Sequence, residues 1–125
     1  MKKIYAAIVL LALITVLGFV EYRLTQRSAE LILESADNAL KAAETGDSQL
    51  LELCESADRH WHERKPALEI FLPHTELDAA DIVVHRLVVY ARLGDTDNTK
   101  VCLAELENRM NSLRESEEIS LYNLF

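Results

Sequence analysis

Two histidines and two aspartates recur at steps of four, three and four along one segment: His74, Asp78, Asp81 and His85. On a helix those steps place all four on one stripe. Imidazoles and carboxylates together suit a divalent transition metal, and a carboxylate can also hold a histidine in one tautomer. A structural polar network accounts for the same residues. His74 precedes the expected N-cap, Thr75, and so need not join the stripe. Asp78 has a sufficient role in the first helical turn, where a carboxylate opposes the helix dipole. Asp81 and His85 form an ordinary i,i+4 pair, with Arg92 seven residues on to balance the charge. Loose metal motifs of this kind arise by chance, so the structural network is the favoured reading and the metal or small-ligand site its alternative.

The segment Arg59-His60-Trp61-His62-Glu63-Arg64-Lys65 is the one locally basic stretch. It could meet lipid head groups or an anionic ligand, with Trp61 as an anchor. Trp61 is also in phase with Leu50, Cys54 and Ala57, which favours a core tryptophan flanked by solvated charges. His60 and His62 point to different sides of a helix and cannot share a metal there. No nucleophile elbow, Gly-rich phosphate loop or His-Glu-x-x-His motif occurs, and the whole chain has only three glycines with which to build a catalytic loop. The reading is therefore of a protein that is not an enzyme, with no catalytic residue and no cofactor.

These side chains must be positioned by the elements around them. Ile4–Val20 contains no charge and only Tyr5, Thr15 and Gly18 among its aliphatic residues. About 17 such residues are just enough to cross a hydrocarbon core of roughly 30 Å, with Lys3 and Tyr22 anchoring the ends. Every one of the 21 acidic residues follows this run, whereas Lys2 and Lys3 precede it, leaving 11 of the 13 basic residues beyond it. A domain that acidic is ill suited to nucleic acid, which needs basic surface to displace counterions. Lys2, Lys3 and the terminal amine outweigh Arg23 and Arg27, which Glu21 partly offsets. The N-terminus is therefore expected in the cytoplasm of a cell membrane and the domain outside it. The division expected is a membrane anchor over 1–23 and an acidic helical extracytoplasmic domain over 24–125. A cleaved signal peptide is the rival, with Val16 and Gly18 as a small-residue cleavage site, but the run is long for a signal core and no Ala-x-Ala follows it.

Strand signals are nearly absent and helical periodicity runs almost throughout. The first helix is expected to leave the membrane unbroken, carrying a stripe of Leu24, Leu31, Ala36, Ala39, Leu40 and Ala43 to a cap at Gly46. A second begins near Gln49 behind Asp47 or Ser48, buries Leu50, Leu53, Cys54, Ala57 and Trp61, and kinks or restarts near Lys65 because of Pro66. Leu68, Phe71 and Leu72 continue its apolar face to Pro73. A third runs from Thr75 to Gly94 with two apolar regions, one of Leu77, Ala80, Val84, Leu87, Val88 and Ala91 and one of Ile82, Val83, Val89, Tyr90 and Leu93, and is expected to be central, packed against more than one neighbour. A fourth, capped by Asp95 or Asp97, carries Val101, Cys102, Leu103, Leu106, Met110 and Leu113. The apolar end Ser120–Phe125 is expected to dock on the bundle, the alternative being a tail in the membrane interface. Cys54 and Cys102 fit no disulfide framework and are read as buried thiols on helix faces, with pairing in an oxidising compartment as the alternative. The fold class expected is all-α: a transmembrane helix running into an antiparallel four-helix bundle-like domain.

The layout as a whole resembles a family of small single-span proteins of Gram-positive bacteria, domain-of-unknown-function family 4363. The resemblance rests on the Met-Lys-Lys start, the aliphatic span, and a helical region reaching Trp61. It continues with Phe71, His74, Glu76, Leu77 and Asp78 in a Phe-x-x-His-x-Glu-Leu-Asp segment, and with Leu121, Asn123 and Leu124 near the end. Pro73 departs from the pattern, where a polar residue is expected, and tightens the local turn. The resemblance implies no activity, cofactor or catalytic residue. It implies only a specific role for His74, Glu76 and Asp78, which fixing the corner between the second and third helices would satisfy. The expected partners are membrane lipid through residues 4–20 and another envelope protein or a second copy, the latter along the Leu24–Ala43 stripe.

Overall fold

Between Lys2 and Thr45 no proline interrupts the chain, and this whole stretch is one helix, α1 (Lys2–Thr45). At 1.5 Å per residue it is about 66 Å long. Its first half is apolar and unpacked: an 18-residue window of mean hydropathy 2.4 is 0% buried, so α1 is long and apolar enough to cross a membrane. Burial begins at Thr25 and then follows helical steps through Ala29, Ile32, Ala36, Ala39 and Ala43. Alanines on that face let neighbouring helices approach closely. The helix ends at Gly46, whose left-handed φ of 71° only glycine adopts without penalty, with its N–H donated to the Ala42 carbonyl.

The computed structural model describes the backbone of residues 1–124 and the side chains of 1–116. Three more helices follow: α2 (Leu50–Leu68), α3 (His74–Arg92) and α4 (Thr96–Leu124). The Asp47 carboxylate accepts the Gln49 N–H at 2.9 Å and opens α2. Asp95 opens α4 by accepting the Asn98 N–H at 3.2 Å through its carboxylate, behind the second left-handed glycine, Gly94. Turns this short join antiparallel neighbours. Each helix packs on the two beside it, α4 closing back onto α1, while among the described residues the backbones of diagonally opposite helices stay more than 8 Å apart at their Cα atoms. Trp61, Ile32, Leu77, Leu87, Leu103, Leu106 and Met110 are the largest side chains of the enclosed core. The expected all-α bundle is thus the observed one.

Three details differ from expectation. Of the kink or restart expected near Lys65, the restart does not occur: α2 runs through Pro66 and ends two residues later. So near the helix end the proline sacrifices one backbone bond, while Leu68 beyond it still gains burial. Thr75 is not the N-cap: α3 begins at His74 behind Pro73, whose φ of −59° and ψ of 137° set the chain for helix entry. α3 packs against two neighbours, α2 and α4, but its second apolar region divides: Val83 is buried and Tyr90 packs on the core, whereas Ile82, Val89 and Leu93 face outward. Of the expected α1 stripe, Ala36, Ala39 and Ala43 are buried inside the bundle, whereas Leu24, Leu31 and Leu40 are half-buried. The Ser120–Phe125 side chains lie outside the described residues.

Because the helices alternate in direction, the α2–α3 corner shares an end of the bundle with the exit of the apolar span. Arg64 near the end of α2 accordingly lines the same hollow as Phe19 and Arg27 of α1. The α1–α2 and α3–α4 turns occupy the far end.

Candidate functional site

Trp61 is in phase with Cys54, Ala57 and Leu68 on the inner face of α2 and is 0% exposed. A buried indole N–H needs an acceptor. Asp81 of α3 supplies it: Nε1 donates to Oδ1 at 2.5 Å. Lys65, one turn beyond Trp61, donates its ammonium to the other carboxylate oxygen, Oδ2. Its Nζ also lies 3.7 Å from Glu69, a further turn on. One carboxylate on α3 therefore ties together two side chains on a single face of α2. It does so between the helices that share the least packing of the four neighbouring pairs.

The electrostatics follow from this geometry. Partial burial pushes the Asp81 carboxyl up, but the hydrogen bonds from Lys65 and Trp61 and the Lys65 charge outweigh it and hold Asp81 below its ordinary value. Lys65 is raised: its hydrogen bond to Asp81, joined by the Asp81, Glu69 and Asp78 charges, outweighs the opposing effect of burial. An acid held ionised with both oxygens engaged is poorly placed to transfer a proton or to take a metal. It is well placed to lock two helices.

Among the residues singled out from the sequence, His74, Asp78 and His85 are exposed on the outer side of α3, and Asp81 alone is turned toward α2. His74, as the first residue of α3, does lie on the helical stripe. But His74 and His85 are eleven residues apart, about 16 Å along the axis, too far for one ion. Among the described residues no three His, Cys, Asp or Glu side chains gather into a group that could hold a metal. Asp81 does not pair with His85, and Arg92 reaches Glu55 of α2 at 3.6 Å instead. Of the family segment, Leu77 is fully buried and Phe71 half-buried, whereas Glu76 is exposed in the first turn of α3. Asn123 has its side chain outside the described residues. The partnership of Asp81 with Trp61 and Lys65 was missed, although a buried indole N–H one turn from a lysine calls for an acid on the facing helix.

The two thiols are buried and free. Burial, then the proximity of Cys102 and Glu55, pushes Cys54 up to about 11, and burial likewise raises Cys102. They sit on the diagonal pair α2 and α4, and their own Cα atoms lie more than 8 Å apart. A disulfide needs roughly 4.4–6.8 Å between Cα atoms, so the pair cannot be bridged without moving backbone.

The model of a protein family described as "Domain of unknown function (DUF4363)" matches residues 19–124. No curated protein and no solved structure matches the chain.

Proposed function

The chain belongs to the DUF4363 family, and from that premise we propose that it is a non-enzymatic, single-span membrane protein whose bundle is an interaction module on the outer face of the cell membrane. The observation that carries this reading is the outward face of α3. Ile82, Val89 and Leu93, spaced seven and four, stand on the side opposite the buried Ala80, Val84 and Leu87, and are 57%, 39% and 74% exposed. Three apolar side chains in one line, with the exposed His85 and Arg86 between Ile82 and Val89, support a contact face on an otherwise acidic surface. Its partner is a second copy of the chain or another envelope protein, not nucleic acid, which the acidic balance disfavours.

The membrane assignment draws on the unburied hydropathic half of α1, and the orientation on Lys2 and Lys3 before it. The use of Asp81 as an internal lock supports a structural rather than a chemical role for the polar residues of α3. Photo-crosslinking in intact cells, with a crosslinking amino acid at Val89 of the full-length chain, tests the reading. A discrete crosslinked species at Val89, absent when the probe is at Glu107, is the expected result. Recovery of monomer alone from both positions contradicts it.

A further inference from the structure

We propose that the bundle-side end of the membrane span holds the phosphate of an anionic phospholipid between Arg23, Arg27 and Arg64, an assignment that rests on the membrane-spanning reading above. Where α1 leaves its apolar half, a hollow of about 540 Å³ is lined by Phe19, Val20, Arg23, Leu24, Arg27 and Arg64. Its floor is apolar and continuous with the exposed face of the span. Three arginines complete its lining, two from α1 and one from α2.

Depth matches the ligand. Arg23 and Arg27 lie three and seven residues past Val20, about 4.5 and 10.5 Å along the helix axis. Side chains on a helix lean toward its N-terminus, so both guanidinium groups tilt back toward the bilayer. The head-group layer is about 5–8 Å thick on each side. The Arg23 guanidinium carbon already lies 5.7 Å from the centre of the Phe19 ring, within cation–π range.

The charges are also unpaired among the described residues. In a chain with 21 acidic residues, none of these three arginines has a carboxylate within 4.0 Å among the described residues. Glu63, beside Arg64, faces His60 instead. Arg114, on α4, shows the contrast: its Nε donates to Gln26 at 3.0 Å and its guanidinium lies 3.9 Å from Glu30. Arginine forks match phosphate oxygens two at a time. A lone arginine at a helix end would be an ordinary snorkelling anchor. Arg64 is different because it comes from another helix and makes the hollow two-sided. The apolar floor favours a phosphate attached to acyl chains over a soluble anion.

The test uses the full-length chain in nanodiscs of phosphatidylglycerol or phosphatidylcholine, followed by native mass spectrometry of retained lipid. The parent should retain phosphatidylglycerol several-fold over phosphatidylcholine. Arg27→Gln with Arg64→Gln, and Arg64→Gln alone, should reduce that preference, with helicity unchanged by circular dichroism. Arg86→Gln, which removes a pair with Glu105, should not. Equal retention of the two lipids by the parent, or a preference that survives the double substitution, overturns the assignment. Thermal stabilisation by inorganic phosphate matching that by phosphatidylglycerol reassigns the hollow to a soluble anion and overturns the lipid part. Any of these outcomes leaves the Val89 crosslink intact, so the two readings fail separately.

Discussion

The two halves of α1 obey opposite packing rules within one unbroken helix. From Ile4 to Val20, Ile, Val, Leu and Phe side chains all stand exposed. From Thr25 to Ala43, the inward face is mostly alanine and is almost completely buried. Large aliphatic side chains without protein neighbours suit a surface meant for lipid, where apolar exposure costs nothing. Small side chains under close contact suit a surface meant for other helices. Apolar character alone therefore says little about a helix; residue size and the partners it can reach decide which solvent it faces.

That contrast can be broken by shortening one large side chain in each environment. Trp61→Ala removes the largest buried side chain of the bundle and should lower stability by about 3–5 kcal/mol. Leu13→Ala, which removes an exposed side chain of the span, should leave bundle unfolding in detergent unchanged. Chemical denaturation followed by circular dichroism checks both. Similar losses for the two variants would mean that the span packs on protein, and the distinction would fall.

A smaller effect is expected from the lock between α2 and α3. Asp81→Ala leaves the buried indole N–H without its acceptor, at a cost of about 1–3 kcal/mol. Asp81→Asn should cost less, because it can still accept that bond. The folded carboxyl lies below its ordinary value, so its stabilising charge is fully present above the unfolded-state pKa of about 3.9 and is lost as pH falls through the folded value. The gap in stability between the parent and Asp81→Asn should therefore narrow below about pH 4. A gap that stays constant from pH 7 to pH 3 would assign the role of Asp81 to packing rather than charge.

Helix existence and the sharp punctuation were legible in the sequence. Gly46, Gly94 and Asp95 act locally, through left-handed backbone and a capping carboxylate, so their residue types suffice. Pro66 and Thr75 misled because each has a local tendency that the surroundings override: one lost bond is tolerated near the end of α2, and Pro73 already sets the entry to α3. Periodicity also marked Ile82, Val89 and Leu93 as apolar without saying whether a neighbour covers them. The candidate site was least legible. Asp81 was found for its spacing to His85, yet its partners lie sixteen and twenty residues earlier on another helix. Only the fold brings them together.

The central claim is a bundle held outside the cell by a single span, and labelling with a membrane-impermeant maleimide tests it most directly. Asp97→Cys places an exposed thiol at the far end of the bundle, while Cys54 and Cys102 are buried and should stay silent in the parent. The account predicts that the introduced thiol is labelled in intact cells and that the protein sediments with membranes after carbonate washing. Labelling only after the membrane is permeabilised, or release of the chain into the wash, would contradict it.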